Sequence, residues 1–424
     1  MTHLNVLNEI EWRGLLHQRT DGLPAALARG QISAYCGFDP TASSLHVGSL
    51  LPVMVLMHLQ RGGHRPFVVV GGGTGLIGDP SGKSAERQLN TPEVVEENSR
   101  GLRKQLESFL DFEGPSAAQM RNNADWLRPL GAIDFMRDVG KHFTVNYMMA
   151  KDSVQMRLES GISYTEFSYM LLQAYDYREL FLHDEVTLQI GGSDQWGNIT
   201  AGLELIRRTE GGEAHALTFP LMTTSAGTKF GKTELGSVWL DPERTSPYRF
   251  YQFWINAEDG DVGKYLRFFT LLSRDEIESL ESESLQHPEG RKAQQTLARE
   301  VTARVHGADA ARVAEDVSRL LFAKGDPAAL STDTLDALSR EVPFVEMTEM
   351  GSAVDALIEL KLAASRGAAR RLIEQGGVTV NGRRVASVSD PVGDPLASSY
   401  YLIRKGARDY GLIRVKAGIA PKLI

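Results

Sequence analysis

The apolar positions change period several times along the chain, and each change marks an element. Residues 32–35 form a short apolar run with the β-branched and aromatic content of a buried strand. Gly37, Asp39-Pro40 and residues 41–44 break it. From 47 to 59 the apolar side chains Leu50, Leu51, Met54 and Met57 recur at helical spacing until Gly62-Gly63 stops them. Residues 66–70 predict a second strand, so strand, helix and strand fall within about 40 residues, as in a right-handed crossover of a parallel sheet. Residues 93–112 are amphipathic. The stretch 123–127 and the apolar positions Leu130, Ile133, Phe135 and Val139 predict further packing layers. A helix over 164–177 is followed by a strand over 186–190 and a second helix after Gly191-Gly-Ser-Asp-Gln-Trp-Gly-Asn198. From 247 to about 340 the pattern is helical and charged. Residues 345–352 read as a linker, 353–360 and 367–375 as short helices, 378–385 as a hairpin turning at Asn381-Gly382, and 400–404 as a strand.

Composition narrows the class. A chain of 424 residues holds two or three domains, and 42% hydrophobic with 24% charged residues is ordinary for a soluble globular protein. The single cysteine, Cys36, rules out an intramolecular disulfide framework and fits a reducing cytosol. Glu9, Glu11 and Arg13 interrupt any signal-like run, and no stretch approaches the roughly 20 apolar residues of a membrane span, so a cytoplasmic location is expected. The net charge of −8 is uneven: from Ser352 onward 12 Lys and Arg face 6 Asp and Glu, a balance of +6 that leaves −14 on the rest. An acidic body with a basic tail points to an attached nucleic-acid-binding module.

Candidate chemistry sits where the elements change. The loop leaving the first strand's carboxyl end carries Thr41, His46 and Gly48 close to a helix N-terminus, a setting that suits polyphosphate. Gly73-Thr-Gly-Leu-Ile-Gly78 matches the dinucleotide fingerprint formally, but Asp79-Pro80-Ser81-Gly82 would stop the helix that fingerprint must open. Asp79, Lys83 and Arg87 beside those glycines fit a loop that closes on phosphates, with a plain glycine-rich turn as the alternative. Tyr169, Gln173 and Asp176 share one helical face, either a ligand pocket or a solvated stripe. Asp194 is placed to take ribose hydroxyls or to cap a helix. Lys229 and Lys232 lie three apart in a flexible loop. Arg366, Arg370, Arg371, Arg383, Arg384, Arg404 and Lys405 fit a phosphate backbone or a solubilising surface.

In combination these motifs resemble one family, the bacterial tyrosyl-tRNA synthetases of aminoacyl-tRNA synthetase class I. The resemblance runs through Tyr35-Cys-Gly-Phe-Asp-Pro-Thr41, His46-Val-Gly-Ser49 in the place of the HIGH motif, and Gly75-Leu-Ile-Gly-Asp-Pro-Ser-Gly-Lys83. It continues through Tyr169, Gln173 and Asp176, Gly192-Ser-Asp-Gln195, and Lys229-Phe-Gly-Lys-Thr233 in the place of KMSKS. The tail resembles the RNA-binding module shared with ribosomal small-subunit protein four. The resemblance implies an α/β fold: a Rossmann-like parallel-sheet catalytic domain with a connective insertion (1–225), a lysine loop and α-helical anticodon-binding domain (226–345), a linker (346–352) and a small α+β RNA-binding domain (353–424). It implies L-tyrosine, ATP with Mg2+ as substrate complex, tRNA(Tyr), no protein-bound metal and a homodimer through the catalytic domain.

Residue by residue, the resemblance implies that Tyr35 and Asp176 bond the phenolic hydroxyl and that Asp79, Tyr169 and Gln173 hold the α-ammonium group. Asp194 would take the adenylate ribose with Gln195 alongside, and Gly37, Asp39, Gly48, Ser49 and Gly192 would complete the adenylate site. Thr41 and His46 would contact the γ-phosphate, while Lys83, Arg87, Lys229 and Lys232 close over the departing pyrophosphate. Ser49 departs from the motif's second histidine, being a shorter donor, and Phe230-Gly231 separates the two lysines. Tryptophan activation on the same scaffold is the nearest rival, and the Tyr35/Asp176 pair argues for a phenol over an indole.

Overall fold

Six strands build the first sheet: β1 (Gln18–Arg19), β2 (Ser33–Phe38), β3 (Arg65–Val70), β4 (Gln119–Asn122), β5 (Val186–Gly192) and β6 (His215–Phe219), in the order β1-β6-β5-β2-β3-β4. Only β1, at an edge, runs antiparallel to its neighbour. Phe67 to Val70 are all buried, as expected of a parallel strand covered on both faces. The computed structural model describes residues 5–81, 89–158, 161–223, 230–233, 236–323 and 325–416.

The connections decide where a ligand can sit. Helix α1 (Leu50–Arg61) carries the chain from β2 to β3, and β4 lies beyond β3. Helix α2 (Pro92–Leu106) lies on the way between β3 and β4, and ends six residues earlier than its periodicity predicts. Helix α3 (Tyr164–Asp184) then returns the chain to β5, on the opposite side of β2, and α4 (Trp196–Thr209) leads outward to β6. Strand order therefore reverses between β2 and β5, and a crevice opens at their carboxyl ends. Helix α1 stops where the glycines predict: Gly62 is its C-cap and Gly63 takes a φ of +89°.

Ser163 caps α3 by accepting from the Glu166 N–H. One face of α3 (Met170, Leu171 and Ala174) packs with Val139, Phe143 and Leu205, while Tyr177 joins Tyr35 and Phe67 in a second cluster. The predicted packing layers divide. Val139 is buried, but Ile133 is 74% exposed, and Asn123, though buried, is polar and bonded. A short ribbon of β7 (Lys232–Thr233) and β8 (Gly236–Ser237) completes the unit, together with a helix α5 (Asp259–Phe269).

Two compact units divide the chain: Met1–Thr245 with Ala257–Leu297, and Ser246–Asn256 with Ala298–Ile424. In the second, β9 (Phe344–Met347), β10 (Val378–Val380), β11 (Arg383–Arg384), β12 (Tyr400–Lys405) and β13 (Asp409–Val415) form a sheet in the order β11-β10-β12-β13-β9. Residues 345 to 347, expected at the start of a linker, are instead the end of β9. Its partner β13 lies about 70 residues away, so local pattern could not reveal the pairing. Alternate residues serve opposite faces. Tyr401, Ile403 and Ile413 pack on the helices Ala353–Glu359 and Arg366–Glu374. Tyr400, Leu402 and Leu412 pack against Val317, Leu320, Leu335 and Leu338 of the preceding helices. The boundaries expected at 225, 345 and 352 therefore do not mark the two units. The hairpin at Asn381-Gly382 is present, both residues having positive φ as a tight two-residue turn requires. Among the described residues no helix is long and apolar enough to cross a membrane.

Candidate active site

The crevice between β2 and β5 is a cavity of about 380 Å³. At its floor the Tyr35 ring, 2% exposed, tilts against Tyr177 at 5.2 Å. The Tyr35 hydroxyl is buried with no hydrogen-bond partner among the described residues. Burial, then the nearby Asp176, hold its pKa well above the usual phenol value, so it stays protonated. Asp176 accepts from Trp126 Nε1 at 2.7 Å and from Asn123 Nδ2 at 2.9 Å. Burial pushes its carboxyl up to about 7 in spite of both bonds.

Two hydrogen-bond networks line the cavity, the first of them spreading from this floor. Asn123 accepts from the Gly73 N–H at 2.7 Å and donates to Thr74 Oγ1, which donates to Asp39; Asp39 in turn accepts from the Tyr169 hydroxyl at 3.0 Å. In the second network Asp79 accepts from Gln195 Nε2 at 2.7 Å and from the Ser81 N–H. Gln173 donates to Gln195 and accepts from Asn198 Nδ2. The polar side chains of these two networks are thereby held in fixed orientations.

At the mouth, exposed Thr41 and His46 flank the start of α1. His46 Nδ1 accepts the Gly48 N–H at 3.0 Å, capping the turn before that helix. A Cβ on Gly48 would lie 2.8 Å from the His46 ring, so a larger residue there would push the exposed imidazole aside. Helix α4 has no side-chain cap at its N-cap residue Gln195.

From the β2 side, Tyr35, Gly37, Asp39, Thr41, His46, Gly48 and Ser49 line this one cavity, with Asp79 beside them. Tyr169, Gln173 and Asp176 line it from α3, and Gly192, Asp194 and Gln195 from the turn after β5. Lys83, Arg87 and Lys229 lie outside the described residues, and Lys232 is described only as backbone of β7. Sequence reasoning missed Thr74, Asn123, Trp126 and Gln189. Asn123 and Trp126 carried one usable signal, a buried amide and an indole N–H that each need a partner.

The model for class I tRNA synthetases of the tryptophan and tyrosine type matches residues 27–323, and that for the SYY-like C-terminal domain of tyrosine–tRNA ligase matches 334–413. The tyrosine–tRNA ligase of Anaeromyxobacter dehalogenans is 54% identical over 418 residues, covering 97% of this chain and all of the relative; that of Geobacillus stearothermophilus is 52% identical with the same coverage. The chain belongs to the tyrosine–tRNA ligases. A solved structure, the C-terminally truncated mitochondrial tyrosyl-tRNA synthetase of Aspergillus nidulans, superposes with a TM-score of 0.69 at 31% identity, covering 75% of this chain and 94% of that one. A tryptophanyl-tRNA synthetase from Encephalitozoon cuniculi, at 14% identity and TM-score 0.54, shares the fold. The protein is thus a class I aminoacyl-tRNA synthetase that activates tyrosine with ATP and charges tRNA.

The departures from KMSKS have a structural role in this ligase. Phe230, 5% exposed, stacks on Phe269 of α5 at 5.5 Å with nearly parallel rings and tilts against Tyr265. Gly231 has a φ of +80°, and a Cβ there would come within 2.6 Å of Val47. Phe230 therefore ties the ribbon to α5, and Gly231 lets it lie close against the segment that bears His46. In the second unit Arg370, Arg371, Arg383 and Arg384 are exposed, whereas Arg366 pairs with Asp355 at 2.7 Å and Lys405 with Asp409 at 3.0 Å.

Proposed function

We propose that the cavity takes tyrosine with its phenol inward and ATP at its mouth, forms tyrosyl-adenylate there, and passes the tyrosyl group to the 3′ end of tRNA(Tyr). The observation that carries this reading is the polar floor, an unpartnered buried hydroxyl beside a carboxylate anchored by two side chains. A phenol can donate to Asp176 and accept from Tyr35. A hydrocarbon ring would leave the Tyr35 hydroxyl unpaired, at about 1–3 kcal/mol, and would offer Asp176 no donor beyond Asn123 and Trp126. Asp79, Tyr169 and Gln173 would hold the ammonium group, Asp194 with Gln195 the ribose, and Thr41 with His46 the γ-phosphate. ATP would arrive with Mg2+ as part of the substrate.

In the first step a tyrosine carboxylate oxygen bonds to the α-phosphorus and the bond to the β-phosphate oxygen breaks, releasing pyrophosphate. In the second a hydroxyl of the tRNA terminal ribose attacks the carbonyl carbon and AMP leaves. The nucleophile is already charged, so no protein nucleophile is needed; positioning and cations that meet the growing charge do the work. Lys83, Arg87, Lys229 and Lys232 are the proposed cations. ATP–pyrophosphate exchange across the amino acids tests the reading. Tyrosine alone should drive exchange, and exchange driven by tryptophan at a comparable rate would overturn it.

A cytoplasmic homodimer is the proposed working form. The exposed apolar side chains Ile133, Met136, Val145, Met156 and Tyr164, on consecutive helical segments of the first unit, support pairing there. Sedimentation should give twice the chain mass; a wild-type monomer at micromolar concentration would rule the pairing out.

A further inference from the structure

Thr41 and His46 stand exposed at the cavity mouth, so their positions depend on how the backbone of loop 39–46 is fastened. Helix α2 fastens it at three points on one face. Asn98, 8% exposed, donates from Nδ2 to the Pro40 carbonyl at 3.0 Å. Gly101 lies so close that an added Cβ would sit 2.2 Å from the Ser43 carbonyl oxygen. Gln105 accepts the Leu45 N–H at 2.8 Å and donates to Ser44 Oγ at 3.0 Å. Positions 98, 101 and 105 are spaced 3 and 4 apart, so they project from the same side of the helix.

The fastening reaches further through Ser44, which is 4% exposed. Its hydroxyl donates to the Leu45 carbonyl at 2.7 Å and accepts the Asp241 N–H at 3.2 Å. Leu240 donates to the same Leu45 carbonyl, and Val47 to the Val238 carbonyl. Segment 238–241 follows the ribbon that holds Lys232, and α2 begins five residues after Arg87. One amide thus sits where the nucleotide-facing loop meets the chain leaving both lysine-bearing stretches. None of Asn98, Gly101 and Gln105 lines the cavity.

We propose that Gln105, assisted by Asn98 and the bare backbone of Gly101, is a positioning residue for adenylate formation, holding loop 39–46 in the shape that ATP needs. The inference rests on the nucleotide reading of Thr41 and His46. A loop released from these bonds must be ordered again each time the transition state forms, which slows the step without touching the amino-acid floor.

The test measures single-turnover adenylate formation, ATP affinity and tyrosine affinity for Gln105→Ala, Gln105→Glu and Gly101→Ala, with His46→Ala in parallel. Gln105→Ala and Gly101→Ala should slow adenylate formation about fivefold to tenfold or weaken ATP binding equally, with tyrosine affinity within about twofold of wild type. Gln105→Glu keeps the acceptor for the Leu45 N–H and should recover most of the rate. Wild-type rates and ATP affinity in both Gln105→Ala and Gly101→Ala would overturn the proposal. So would a parallel fall in tyrosine affinity, which marks a general structural role. If His46→Ala loses rate while Gln105→Ala and Gly101→Ala do not, only the positioning role fails; if none of the three loses rate, the nucleotide reading of the loop fails with it.

Discussion

A buried carboxylate is stable only while something compensates its lost hydration, and Asp176 lies close to that limit. Burial drives its pKa up, the bonds from Asn123 and Trp126 pull it down, and the balance is about 7. Because this lies above the ordinary carboxylate value, its contribution to folding is complete below that ordinary value and is lost as pH rises through about 7. Binding runs the other way, since the ionised form is the better acceptor for a phenol. Tyrosine affinity of the free enzyme should weaken as pH falls below about 7, by up to about tenfold per unit, and Asp176→Asn should flatten the profile. Fluorescence titration reads this, and a flat wild-type profile would remove Asp176 as the acceptor. Asp176→Ala should cost tyrosine activation at least about tenfold more than phenylalanine activation, because only the phenol loses a charged hydrogen bond; equal losses in pyrophosphate exchange would contradict it. Helical spacing made Tyr169, Gln173 and Asp176 legible as one face. It could not reveal Asn123 and Trp126, which meet Asp176 from about 50 residues away.

Single elements carry two jobs at once, and α3 is the clearest case. Its polar stripe faces the cavity while Met170, Leu171 and Ala174 pack away from it. Close approach of α4 makes this possible: a Cβ on Gly202 would fall 2.8 Å from the Tyr177 ring, whose hydroxyl donates to the His215 carbonyl at 2.7 Å. Gly202→Val should therefore destabilise the fold by about 1–3 kcal/mol through overpacking. Urea unfolding measures it, and an unchanged midpoint would mean that the helices can separate without cost. In the lysine ribbon Phe230 is the anchored side chain, stacked on Phe269, and the proposed chemistry falls to its lysine neighbours. Lys232→Ala should leave tyrosine affinity nearly unchanged and slow adenylate formation at least about tenfold, since a cation that acts on the leaving pyrophosphate contributes mainly in the transition state. Pre-steady-state rates equal to wild type would remove that role.

At the scale of the molecule, the second unit changes how its RNA-binding role is best tested. Its sheet packs on helices from both sides, so removing 353–424 would strip the cover from Val317, Leu320, Leu335 and Leu338. Surface substitution is the cleaner probe. Replacing Arg370, Arg371, Arg383 and Arg384 with alanine should weaken tRNA charging, reduce the salt dependence of tRNA binding, and leave adenylate formation unchanged. Unaltered charging in an aminoacylation assay would argue against these arginines as the RNA-facing set. By itself the sequence determined the parallel α/β class, the order of the motifs and many of the cavity's side chains, though not Thr74, Asn123 or Gln189, because strand and helix periods and loop chemistry are local properties. Only the tertiary structure decided that β2 and β5 lie side by side, that Asn123 and Trp126 anchor Asp176, that Gln105 clasps loop 39–46 and that β9 joins the last sheet. Those are pairings across tens to hundreds of residues, set by which buried polar groups and apolar faces satisfy one another once the chain has closed on itself.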